Sequence, residues 1–119
     1  MKKFSTTKGG WVARRVAEVW TGHLTATDIM YFSHVVPEDL KSTLPGYICS
    51  YPEGWYAFIP TSDCIKDHLI TLTKRGLSRA YLAITMDLCK SGITIARFDA
   101  DAAPNMEFEI FYNDVLTPS

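Results

Sequence analysis

Net charge is almost missing from this sequence. Its 119 residues carry 12 basic and 13 acidic side chains, a balance of −1. That sets up no field to attract a polyanion, so general nucleic-acid binding through phosphates is not expected, although Lys2, Lys3, Lys8, Arg14 and Arg15 form a local basic patch. Cysteine is scarce as well. Cys49, Cys64 and Cys89 are odd in number, far apart and form no C-x-x-C. This excludes a disulfide-stapled scaffold and points to free, mostly buried thiols in a reducing compartment. No apolar run approaches the roughly 20 residues a membrane span requires. Met1-Lys2-Lys3-Phe4 opens as a signal peptide does, but Ser5-Thr6-Thr7-Lys8-Gly9-Gly10 stands where an apolar stretch is needed. The chain is therefore expected in the cytoplasm, with no membrane association. Also lacking are a nucleophile elbow, a phosphate-binding loop and a dinucleotide fingerprint, so the common local signatures of hydrolases and nucleotide enzymes give no lead.

What is present reads as one ordinary core. Hydrophobic residues make up 47% and charged residues 21%, a composition that excludes disorder. A chain of this length buries roughly two thirds of its unfolded surface, enough for a core without staples. Residues 1–10 are polar and end in glycine, and are expected to be flexible. Residues 11–119 are expected to form a single α+β domain.

The elements follow from local chemistry. Val16-Ala17-Glu18-Val19-Trp20-Thr21 is β-branched and aromatic, which favours a strand over 12–21, although Val12, Val16, Val19 and Trp20 also fit helical spacing. Thr25-Ala26-Thr27-Asp28 has the form of a capping box opening a helix over 26–34, and Pro37 marks a second short turn. Tyr47–Tyr51 and Trp55–Ile59 flank Pro52-Glu53-Gly54, which is turn chemistry, and together predict a β-hairpin. Thr61, Ser62 and Asp63 are competent caps for a helix bearing Ile65, Leu69 and Leu72 and ending at Gly76. The rival reading there is a strand through Leu69-Ile70-Thr71-Leu72-Thr73. Ser78 caps a further helix with Tyr81, Ile84 and Leu88 on one face and Gly92 at its end. Ile93–Phe98 reads as a strand, 99–105 as a loop, and Glu107–Tyr112 as a half-buried strand by its alternation. The order β-α-β-β-α-α-β-β predicts an α+β fold: a mainly antiparallel sheet of about five strands with two to three helices on one face.

Three constellations are candidates for chemistry. Asp99 and Asp101 stand near Asn105, Glu107 and Glu109, an oxygen-rich set of the kind a hard cation uses. Pro104 and Ile110 occupy the positions where a calcium loop needs glycine and glutamate, however, and Asp and Asn are ordinary turn formers. A solvated turn is the plainer reading. His23 lies in Thr21-Gly22-His23-Leu24-Thr25, between a strand and a helix, where a side chain is presented at a sheet edge; the plainer reading is a packed junction residue. Cys64 and His68 are four apart on a helix, but a closed zinc site needs two more ligands and none is suitably spaced. No metal or cofactor is expected. The aromatic content is 13%. Most of it should be core, and a surface subset that includes Trp55, Tyr56 and Trp20 would make a protein-binding patch.

Three stretches carry a resemblance: Val19-Trp20-Thr21-Gly22-His23-Leu24-Thr25, then Gly54-Trp55-Tyr56-Ala57-Phe58-Ile59-Pro60, then Leu77-Ser78-Arg79-Ala80 through Ser91-Gly92-Ile93 to Arg97-Phe98-Asp99-Ala100-Asp101. Together they resemble an uncharacterised family of small bacterial proteins common on plasmids, prophages and other mobile elements, over residues 12–112. The chain departs from the family pattern at Ala102-Ala103, where the acidic loop usually carries a glycine, and in a longer insertion around 33–44. The resemblance implies a fold and a genomic setting and no mechanism.

Two functional expectations come out of this. One is an accessory protein of a mobile element that acts by protein–protein contact, against a host defence system for example, with a homodimer among the arrangements open to it. The other is a small enzyme or metal-dependent hydrolase using His23 with Asp99 and Asp101. For the second, the imidazole and the carboxylates must share one pocket.

Overall fold

In the computed structural model, residues 5–6, 9–32 and 47–111 are described. β1 (Ser5–Thr6) and β2 (Val12–Ala13) form a small antiparallel pair. The principal sheet has four strands: β3 (Val16–Trp20), β4 (Tyr47–Tyr51), β5 (Gly54–Phe58) and β6 (Ile95–Asp99), in the order β3-β6-β5-β4. β4 and β5 are the expected hairpin. The sheet is mixed, because β3 runs parallel to β6 with Val16 opposite Ile95 and Trp20 opposite Asp99. The expected final strand does not form over 107–111. There the chain turns along the Thr21–His23 turn instead, and the Phe111 N–H donates to the Gly22 carbonyl at 2.8 Å. The expected turn at Pro37 lies outside the described residues.

The helices are α1 (Ala26–Met30), α2 (Ile65–Lys74) and α3 (Arg79–Lys90). α1 opens with the capping box expected at Thr25 and Asp28. α2 forms despite its threonines, which bond back into the helix: Thr71 Oγ1 donates to the Asp67 carbonyl and Thr73 Oγ1 to the Leu69 carbonyl. Its N-cap is Cys64, with no side-chain cap bond, instead of Thr61, Ser62 or Asp63. α3 begins at Ser78, whose hydroxyl accepts from the Tyr81 N–H.

Alternation decides which sheet face meets the helices. Val19, Trp55, Ala57, Ala96 and Phe98 point inward and are buried with Leu24, Ile29, Phe32, Leu72, Tyr81 and Ile84. At the centre Trp55 stacks on Phe32 at 4.2 Å and on Phe98 at 5.0 Å, and Tyr81 stacks on Phe98 at 5.3 Å. A buried carboxylate ties the helices to one another. Asp28, fully buried, accepts from the main-chain N–H groups of Thr25 and Ser78 and from both their hydroxyls. One side chain thus completes the N-termini of α1 and α3 together, each a place where donors lack partners and negative charge is favoured.

Candidate functional site

The opposite face of the sheet carries Val16, Glu18 and Trp20 from β3, Ile95, Arg97 and Asp99 from β6, and Gly54, Tyr56 and Phe58 from β5. Register lines these up in rows across the strands. Val16, Ile95 and Phe58 form an apolar row, with Val16 52% and Phe58 47% exposed. The next row is Glu18, Arg97 and Tyr56. The last joins Trp20, Asp99, Gly54 and Tyr51 at the carboxyl end of the parallel pair.

A polar network fixes the lower rows. The Arg97 guanidinium bridges Glu18 at 3.1 Å and Asp99 at 3.2 Å, and its Nε donates to the Tyr51 hydroxyl at 3.1 Å. The single phenolic proton goes to Asp99 Oδ2, the nearest and charged acceptor, at 2.7 Å. The Asp101 N–H closes on Asp99 Oδ1 at 2.7 Å. Burial, and then the Asp99 acceptor, push the Tyr51 phenol up to about 12. The Tyr51 hydroxyl, the Asp101 N–H and Arg97 hold the Asp99 carboxyl below its usual range. Arg97 also lies 5.4 Å from the Tyr51 ring centroid, and Tyr51 meets Tyr56 at 5.3 Å. The result is a preorganised surface of arginine, tyrosine and aliphatic groups.

His23 sits elsewhere and is already engaged. It is buried in the turn after β3. Nδ1 lies 2.8 Å from the Glu109 carbonyl, which can only accept, and Nε2 lies 2.8 Å from the Asn105 N–H, which can only donate. Those partners assign the proton to Nδ1 and leave neither nitrogen free for a substrate. The ring meets Trp20 edge-on and packs beside Phe108.

The residues picked out in the sequence are therefore dispersed. Among the described residues, the two cavities beside His23 are lined by neither Asp99 nor Asp101, which border a separate concavity with Glu18, Glu53 and Arg97. Among the described residues, no group of three or more His, Cys, Asp or Glu side chains gathers as a metal centre would need. Of the aromatic binding candidates, Trp55 is 4% exposed and lies in the core, where it offers no surface to a partner. Trp20 is half-buried against Gly22 and His23. Tyr56 shares the open face with Trp20 and stands in the row of Glu18 and Arg97.

Sequence reasoning missed Val16, Tyr51, Phe58 and Arg97. The hairpin strand Gly54–Phe58 is apolar or aromatic at both parities, so alternation gave no signal of which set faces out. No helix among the described residues is long and apolar enough to cross a membrane. In comparisons with known proteins, no family model, no curated protein and no solved structure matches the chain.

Proposed function

We propose that this chain is a non-enzymatic accessory protein of a mobile genetic element, working in the cytoplasm by protein–protein contact through the open sheet face. One observation carries the reading. An apolar row with Val16 and Phe58 about half exposed lies beside an immobilised arginine and two tyrosines, with no described element packed across it. Isolated exposed apolar residues are ordinary, but a contiguous row rimmed by polar groups marks an interaction surface, and Arg and Tyr are the residue types that dominate interface energies. The genomic setting, and a host defence system as target, rest on the family resemblance alone.

The test is capture from the native host with a tagged chain, run in parallel on the wild type, Val16→Glu/Phe58→Glu and the control Ile70→Glu, which alters an exposed apolar residue on α2. A protein captured by the wild type and the control but lost with the face variant supports the reading. Equal capture by all of them removes it.

A further inference from the structure

Among the described residues β3 is an edge strand, with β6 on one side only. The Arg15 carbonyl accepts from the Thr94 and Ile95 N–H groups and so faces β6. Main-chain groups alternate sides along a strand, so the N–H and C=O of Val16 and Glu18 and the N–H of Trp20 point out of the sheet. Among the described residues no strand or loop hydrogen-bonds to them. Such an edge is a template for another extended chain.

A groove runs beside it. One wall is β3 itself, at Ala17 and Val19. The other is a single face of α3, formed by Ile84, Asp87 and Leu88, and Phe108 closes the end. Its volume is about 170 Å³, and no lysine or arginine lines it. Asp87 is exposed on the α3 wall, and Glu18 is exposed on the other side of β3. Glu18 keeps 57% of its side chain in solvent even while it holds Arg97.

We propose that β3 accepts an extended segment of a partner protein by strand addition. The segment places a large apolar side chain in the groove beside Asp87 and, at the alternate position on the other face, a lysine or arginine beside Glu18. Main-chain pairing supplies affinity in this mode, and the adjoining pocket and charges supply selectivity. A second copy of this chain is the poorer occupant. The middle of its own β3 is Glu18, and pairing centred there sets like charges opposite each other. The inference rests on the reading of the chain as an interaction protein, but it uses the edge and not the open face.

The probe is a fluorescein-labelled peptide of alternating valine and lysine with one central leucine, titrated into the full chain by fluorescence polarisation with amide exchange read in parallel. Saturable binding is expected, together with new protection at the Val16 and Glu18 amides. N-methylation of alternate peptide amides, or Asp87→Lys in the protein, should weaken binding by about tenfold, and Ile70→Glu on α2 should leave it unchanged. No saturable binding, or binding indifferent to N-methylation, overturns the proposal. So does protection of the same amides that rises with protein concentration alone, which assigns the edge to a second copy. Loss of peptide binding while host capture still depends on Phe58 sinks this inference and spares the reading above.

Discussion

At Gly54, β5 and β6 approach so closely that a Cβ would collide with the Phe98 carbonyl oxygen. The obstacle is backbone, held by ladder bonds on both sides, so no side chain can rotate away. Gly54→Ala should therefore cost about 3 kcal/mol, the upper end of overpacking penalties, in chemical denaturation. A loss near that of an ordinary surface substitution would mean that the strands separate freely. Tyr51 and Asp99 make a second prediction. The phenol is raised from 10.0 to about 12 in the fold, so its contribution is present below pH 10 and is lost as pH rises through 12. The Asp99 carboxyl is lowered, so its contribution is present above the ordinary aspartate range and is lost as pH falls through the lowered value. Tyr51→Phe shallows the alkaline limb, the rest of which comes from the Tyr81 phenol that burial also raises, and, by taking the foremost donor from Asp99, shallows the acid limb. Unfolding midpoints measured across both ranges check this, and an unchanged alkaline limb in the variant would refute the assignment.

Between elements, His23 does for the 105–111 segment what Asp28 does for the helices. Each is buried, and each satisfies main-chain groups that would otherwise lack partners. His23→Ala should destabilise the fold by about 2 kcal/mol, the scale of two lost hydrogen bonds at a buried site. It should also speed exchange of the Asn105 and Phe111 amides while leaving the β5–β6 ladder protected. Uniform acceleration across the sheet would show that the histidine supports the core and not the segment. The local reading of elements succeeded where one signal dominated: the capping box at Thr25, the Ser78 cap and the Pro-Glu-Gly turn. It failed over 107–111. There the alternation of Phe108 and Ile110 was real, but the Gly22 carbonyl and the His23 imidazole, which pair with main-chain groups of Phe111, Asn105 and Glu109, drew the chain into a loop.

For the molecule as a whole, the apolar row of the open face lies outside the core, with Val16 and Phe58 about half exposed. Val16→Glu/Phe58→Glu should leave thermal stability within about 0.5 kcal/mol of the wild type, as exposed substitutions do. A large loss would mean that the row is packed in solution. Composition, hydrophobic spacing and turn chemistry by themselves determined an α+β chain with a hairpin at 47–59 and capped helices near 26 and 79, because those properties are local and each is written in a few adjacent residues; over 64–74 they left a strand as the rival of the helix. Only the tertiary structure decided that β6 inserts beside β3 in parallel, with Trp20 opposite Asp99, and that the His23 ring is taken by Asn105 and Glu109. It also decided that Trp55 goes inward while Phe58 goes outward. Strand neighbours and strand parity are set by packing between residues distant in the chain, and a strand apolar on both sides leaves that choice to the core it joins.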